Sequence, residues 1–204
     1  MLLATEIELK LQVLDEKVNV VEKLKAFLAE NGGECQFQQN ELVNIYFDTP
    51  DWDLNANKMA LRIRHKHGKY IQTLKTKGQS IQGLSQRGEW EWRVPDHKLD
   101  QGVLKNCEAW PKSIDLDSLV AVFETNFTRH HVEFTWQGSE IELAFDLGSI
   151  LSQGKVEKIR EIELELKVGK ANDLHLLAEG LQRYLPLAPS DISKAERGYR
   201  LFSR

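Results

Sequence analysis

The sequence predicts an α+β fold, a barrel or sandwich of strands with helices attached. Eight stretches of period-two alternation predict the strands, and two amphipathic stretches of helical period, one near each end of the chain, predict the helices. A third observation concerns charge, because the polar phase of the strands is filled largely by carboxylates, Arg and Lys rather than by Ser, Thr, Asn and Gln.

Composition bounds the alternatives. The chain has 204 residues, 41% hydrophobic and 28% charged, a length that suits one domain over residues 1–204 with a real core. It has no apolar run of bilayer-spanning length, so no membrane helix is expected. The start, Met-Leu-Leu-Ala-Thr-Glu, lacks the basic flank and long apolar core of a secretory signal. Cys35 and Cys107 lie far apart without CxxC spacing, which argues against a disulfide framework and fits a reducing cytoplasm. The formal net charge of −4 argues against duplex nucleic acid as a partner and leaves a local anion pocket open.

In chain order, 6–13 alternates as a strand, and 15–33 reads as an amphipathic helix. Asp15 is its expected N-cap, Val18, Val21, Leu24 and Leu28 form its stripe, and Gly32-Gly33 ends it. Strands are expected at 42–48, 60–66, 70–77 and 85–94, with a turn at His67-Gly68-Lys69. Residues 95–120 read as a connection within the domain, with a short helix around Asp115 to Val120. Strands at 126–137, 139–147 and 158–168 follow, the first two joined through Gln137-Gly138-Ser139. Asn172 or Asp173 is expected to cap a helix in which Leu174, Leu177, Ala178, Leu181 and Leu185 recur before Pro186.

Residues two apart in a strand share a face. Glu6, Glu8 and Lys10 therefore oppose Ile7, Leu9 and Leu11, and Arg62 and Arg64 oppose Leu61 and Ile63. Thr73, Lys75 and Lys77 share one phase, as do Arg87, Glu89, Glu91 and Arg93. Glu140, Glu142 and Asp146 form another such set, and so do Glu161, Glu163, Glu165 and Lys167. For a single strand, the wet side of an antiparallel sheet explains this best. Repeated over several strands in segregated groups, it suggests a closed barrel whose charged face is a lumen. Carboxylates meeting there would repel unless a hard divalent cation, Mg²⁺ or Mn²⁺, took their oxygens. Arg62, Arg64, Lys75, Lys77, Arg87 and Arg129 would present donors to a multiply charged anion, and metal with a basic fan points to phosphates.

Glu6-x-Glu8-x-Lys10, Asn44-Ile45-Tyr46-Phe47-Asp48-Thr49-Pro50, Leu61-Arg62-Ile63-Arg64, Leu74-Lys75 and Glu161-Ile162-Glu163-Leu164-Glu165 occur in an order that resembles the CYTH, or triphosphate tunnel metalloenzyme, family. Gln86-Arg87-x-Glu89 and Ser193-Lys194-Ala195-Glu196-Arg197-Gly198-Tyr199 resemble its bacterial inorganic triphosphatase branch. The resemblance implies an eight-stranded antiparallel β-barrel, a tunnel with a charged interior and helices packed outside. It implies hydrolysis of inorganic triphosphate to pyrophosphate and phosphate, with Mg²⁺ or Mn²⁺ as cofactor. By residue matching, Glu6, Glu8, Glu161, Glu163, Glu165 and Asp146 are the candidate metal ligands, and Glu6, Glu8, Lys10 and Glu163 the candidate catalytic groups. Lys10, Arg62, Arg64, Lys75, Lys77, Arg87, Arg129, Lys194 and Arg197 are the candidate phosphate ligands. Lys194 and Arg197 would share a face if the tail forms a helical plug. Glu91, Trp92 and Arg93 depart from the family's pattern. Relatives of this branch usually carry a second, helical, His-rich CHAD domain, expected to be separate from or missing from this chain.

The same motifs admit an adenylyl cyclase acting on ATP or a thiamine or nucleoside triphosphatase. They also admit, in another class, a module that binds polyphosphate or nucleotide without turnover. The carboxylate set argues against that module, since negative charge in the pocket does not help it hold a polyanion. His65-x-His67 and His130-His131 lack partners at zinc spacing and read as ordinary polar residues. Trp90 and Trp92 fall on the apolar phase and read as core. Glu22, Lys23, Lys25 and Glu30 read as the solvated face of the first helix.

Overall fold

The computed structural model describes residues 3–31 and 36–203. The barrel strands are β1 (Leu3–Val13), β2 (Gln38–Asp48), β3 (Ala60–Lys66), β4 (Lys69–Lys75), β6 (Leu84–Val94), β7 (Val120–Trp136), β8 (Ser139–Ser152) and β9 (Lys155–Val168), with short strands β5 (Gln79–Ile81) and β10 (Leu187–Pro189). The order β1-β9-β8-β7-β2-β3-β4-β6 returns to β1 through a β1–β6 pairing, and every pairing is antiparallel. Closure leaves no edge in the main ring. The expected eight strands are all present, and β5 and β10 add to β6 and β1.

Two-residue turns join the hairpins. His67-Gly68, Gln137-Gly138 and Gln153-Gly154 hold both residues at positive φ, the geometry that matches strand twist.

Helices α1 (Val20–Asn31) and α4 (Ala171–Leu181) cover the outer faces of β1, β8 and β9. Leu24, Phe27, Leu28, Leu174, Leu177 and Leu181 pack there against Leu9, Leu11, Leu143, Ile162 and Leu164, all essentially fully buried. Each such side chain contributes about 2 kcal/mol of burial. The connection carrying α3 (Gln101–Lys105) and a 3₁₀ turn (Leu116–Ser118) covers β3, β4 and β6, where Leu61, Leu74 and Trp90 pack with Leu104, Trp110 and Ile114. Trp90 is core, as its phase predicts. No helix of the described residues is long and apolar enough to cross a membrane.

Several local expectations need correction. Asn19, not Asp15, caps α1: its Oδ1 accepts from Glu22 N at 3.3 Å, whereas Asp15 closes its own turn through Lys17 N at 2.8 Å. Neither Asn172 nor Asp173 caps α4, which begins at Ala171. The Asp173 carboxylate instead accepts from Ser139 Oγ, which also takes Lys170 N at 3.0 Å. Gly32-Gly33 and Cys35 lie outside the described residues. The short helix α2 (Asp53–Ala56) follows β2 where the sequence carries no apolar period.

Strands β7, β8 and β9 run further than the alternation indicates. Towards that end of the barrel their inward residues change from charged to apolar, through Phe123, Phe127, Ile150 and Ile159, and the charge pattern fades. The change occurs because α5 (Lys194–Ser203) packs against β7, β8 and β9 and closes that end. Strand β2 is apolar on both faces, with Leu42 and Tyr46 inside and Phe47 packed outside.

Candidate active site

The antiparallel registers carry one face around the ring. On neighbouring strands Glu142, Glu165 and Glu8 stand side by side, then Glu163 beside Lys10, Glu6 beside Arg87, Lys75 beside Glu89, and Arg62 beside Tyr46. These side chains surround a cavity of about 260 Å³ in which cations outnumber carboxylates. Glu6, Glu8, Lys10, Arg62, Arg64, Lys75, Arg87, Arg129, Glu163, Glu165 and Lys194 all line it. The remaining expected site residues lie elsewhere. Asp146 and Glu161 are buried behind Lys194, at 0% and 3% exposure. Arg197 stands on α5 with Glu157 and Glu161, at 2.6 and 2.9 Å. Lys77 follows the end of β4 and is exposed, on a side cleft it shares with Lys58.

Most of the cations are already matched. Glu6 accepts from Lys75 Nζ at 2.6 and 2.8 Å and from Arg87 Nε at 2.8 Å. Burial alone would raise the Glu6 carboxyl, yet Lys75 and Arg87 outweigh it and hold the group well below the usual carboxylate range. Arg87 also donates to Glu8 at 3.0 Å. Arg129 is bidentate to Asp146, at 2.8 and 2.7 Å, and reaches Glu163. Lys194 Nζ sits among Glu161 at 2.5 Å, Asp146 at 2.6 Å and Glu163 at 2.8 Å. Burial opposes that ammonium, but the three carboxylates raise its pKa. The carboxylate oxygens of Asp146, Glu161 and Glu163 converge within 4.8 Å, a spacing that could hold an ion, and the Lys194 ammonium already stands there as the counter-cation.

Two walls of the lumen each concentrate one sign of charge. Arg64 donates through Nε to the Asn44 carboxamide at 2.8 Å rather than to a carboxylate. Burial, with Arg62 and Arg129 nearby, lowers its pKa to about 10. Beside it, Arg62 stands 3.8 Å from Glu89, and its Nε is buried without a hydrogen-bond partner. Strand β3 therefore presents one guanidinium, Arg64, that faces no carboxylate, beside a buried one, Arg62, whose pKa burial would lower but Tyr46, Glu89 and Glu91 raise. Across the lumen the opposite sign is concentrated in the row Glu142, Glu165 and Glu8, where Arg129 stands 3.7 Å from Glu142, Lys167 2.8 Å from Glu165 and Arg87 3.0 Å from Glu8. Burial raises the Glu165 pKa, Lys167 at 2.8 Å opposes the rise, and Glu142 and Glu6 add to it. Like charges directly opposite one another destabilise a sheet unless a cation joins them.

Sequence reasoning assigned no site role to Glu142, Glu89, Glu91, Tyr46, Lys66, His131 or Ser193, which also line the cavity. Glu142, Glu89 and Glu91 were legible as members of the charged phase. Tyr46 lies among apolar neighbours in the sequence. Burial would raise its phenol, yet Arg62 and Arg64 bring it below the ordinary value.

Comparison with known proteins places these features in a group. An inorganic triphosphatase of Haemophilus influenzae is 36% identical, over 98% of this chain and 55% of that protein. The chain thus spans about half the length of that curated relative. A putative adenylyl cyclase from Hippeastrum, described as having a dominant triphosphatase activity, superposes with a TM-score of 0.67 at 22% identity, covering 96% of this chain and 95% of that one. A putative adenylate cyclase from Bacillus halodurans gives 0.57 at 18%, covering 95% and 97%. Both structures share the fold. Residues 4–199 match the sequence model of the CYTH domain, and with its strands closed around inward-facing ions this chain belongs to that family.

Proposed function

We propose that this protein hydrolyses inorganic triphosphate to pyrophosphate and phosphate inside the tunnel, with Mg²⁺ or Mn²⁺. The observation that carries the reading is the split of charge across the lumen, with Arg62 and Arg64, the latter facing no carboxylate, on one wall and the row Glu142, Glu165 and Glu8 on the other. A triphosphate with a hard cation fits both walls at once. The name of the Haemophilus relative supports the same reading.

The donor set fits a hard divalent ion, because the residues in the row are all carboxylates and no His or Cys joins them among the residues placed side by side. Glu8 and Glu165 would hold it, with Glu6, Glu142 and Glu163 adjoining. The Asp146–Glu161–Glu163 cluster fits it less well, since Lys194 neutralises that group. When bound, such an ion neutralises phosphoryl oxygens and orients them for in-line attack.

The protein's own residues position the substrate. Arg62 and Arg64 grip non-bridging oxygens through planar donors, and Lys75 and Arg87 extend the grip while their contacts with Glu6 and Glu8 fix their side chains. Lys194 shields the incoming polyanion from three carboxylates. Glu8, Glu163 and Glu165 face the water-accessible lumen and can accept the proton of an attacking water. The same reading takes residues 1–204 as one tunnel unit. It assigns the protein to the cytoplasm, consistent with Cys107 being buried and free.

The test is phosphate release. Glu6→Ala and Glu165→Ala should each cut metal-dependent release from triphosphate at least about 100-fold, with the far-ultraviolet spectrum of the fold retained. Wild-type turnover by both variants would remove the carboxylates from the site. Cyclic AMP formed from ATP faster than phosphate from triphosphate would replace hydrolysis by cyclisation.

A further inference from the structure

We propose that Asp48 and Tyr199, neither of which lines the central cavity, are positioning residues that seat α5 so that the Lys194 ammonium reaches its three carboxylates. Asp48 ends β2 and is wholly buried. Its Oδ1 accepts from Thr49 N at 2.7 Å and Leu54 N at 2.8 Å, and its Oδ2 from Asn55 N at 3.0 Å and Tyr199 Oη at 2.6 Å. Four donors replace the cation that a buried carboxylate otherwise needs. Three of them belong to the turn that runs through α2 into β3, the strand of Arg62 and Arg64. The fourth belongs to α5, the helix of Lys194. One carboxylate therefore ties together two elements that supply the tunnel with cations.

The phenol remains a donor, because burial and then Asp48 push its pKa far up. Apolar packing alone would seat α5 less sharply. Tyr199 meets Phe123 and Trp52 with ring centroids at 5.2 and 5.8 Å, and Phe202 meets Trp52 at 5.3 Å. Such contacts are broad in direction, whereas a hydrogen bond to a fixed carboxylate sets the position of the helix along and about its axis. Lys194 needs that precision, with three contacts between 2.5 and 2.8 Å. A shifted α5 leaves Asp146, Glu161 and Glu163 short of positive charge, and they then repel a polyanion entering the tunnel.

The experiment uses Tyr199→Phe, which keeps the ring packing and leaves Asp48 three donors. Amide hydrogen exchange in α5 should accelerate about tenfold while exchange in α1 and α4 stays unchanged. Calorimetry with inorganic triphosphate in excess chelator, a probe that rests on the function proposed above, should show roughly tenfold weaker binding. In a Lys194→Met background the same change should weaken binding by less than about twofold, since the step it acts through is gone. Unchanged exchange in α5, or losses that multiply in the double variant, would overturn the proposal. If the wild-type protein binds no triphosphate, the functional reading fails, and the exchange measurement decides the positioning role by itself.

Discussion

Arg64 and Arg129 both face the lumen, half-buried, and lie two strands apart, yet their removal should act in opposite directions. Arg129 balances Asp146 and Glu163, so Arg129→Met strands buried carboxylates and should cost about 3 kcal/mol or more of stability. Arg64 faces an amide, and burial lowers its pKa to about 10, so Arg64→Met should leave the thermal midpoint unchanged or raise it. The same substitution should weaken triphosphate binding by an order of magnitude or more. Thermal unfolding and calorimetry on the two variants separate a structural cation from a ligand-binding one. The carboxylates add a pH signature. Burial raises Glu6, Asp146 and Glu163, but Lys75 and Arg87 for the first, and Arg129 and Lys194 for the others, hold their pKa values below ordinary ones. Their contribution is present above the unfolded carboxylate pKa and is lost as pH falls through the folded values. Glu165, with its raised pKa, has the opposite sign and is outnumbered. The thermal midpoint should therefore drop steadily from about pH 5 to about pH 2, and a midpoint that rises over that range would contradict these pairings.

At the scale of elements, α5 converts an open barrel into a tunnel with one closed end. A capping box starts it: Glu196 Oε2 accepts from Ser193 N at 2.8 Å, and Ser193 Oγ accepts from Glu196 N at 3.1 Å. Gly198 lets it approach β7, since a Cβ there would stand 2.2 Å from the Phe123 ring. Gly198→Ala should destabilise the protein by about 1–3 kcal/mol and, on the function proposed above, lower phosphate release from inorganic triphosphate with it, measurable by thermal unfolding and a phosphate assay. An alanine variant as stable and active as the wild type would mean that α5 docks less tightly than this contact requires. The strands were the most legible elements in the sequence, because a surface charged on one phase and apolar on the other has a period of two. Their far ends were not, since β7, β8 and β9 there exchange charge for Phe123, Phe127 and Ile150, and the two faces become alike. Helix caps were misread where tertiary contacts decided. Asp173 has the chemistry of a cap, but Ser139 of β8 reaches it first.

At the scale of the molecule, the charged face is inward because closure leaves it nowhere else to go, with α1, α4 and the 95–119 connection burying the other face. The ion-bearing strands were readable from alternation, and of the candidate phosphate ligands that alternation and motif order named all but Lys77 and Arg197 line the lumen. Which ions are matched depends on register, which places Glu142 opposite Glu165, and on the docking of α5, which places Lys194 against Asp146, and no local pattern encodes either. The central claim is that this lumen joins a polyphosphate to a divalent ion. The most direct measurement is phosphate release from inorganic triphosphate by the wild-type protein and Glu8→Gln, with Mg²⁺, with Mn²⁺ and with chelator. Release that needs added metal and falls at least about 100-fold in Glu8→Gln is the predicted result. Equal release in chelator, or an unaffected Glu8→Gln, would contradict it.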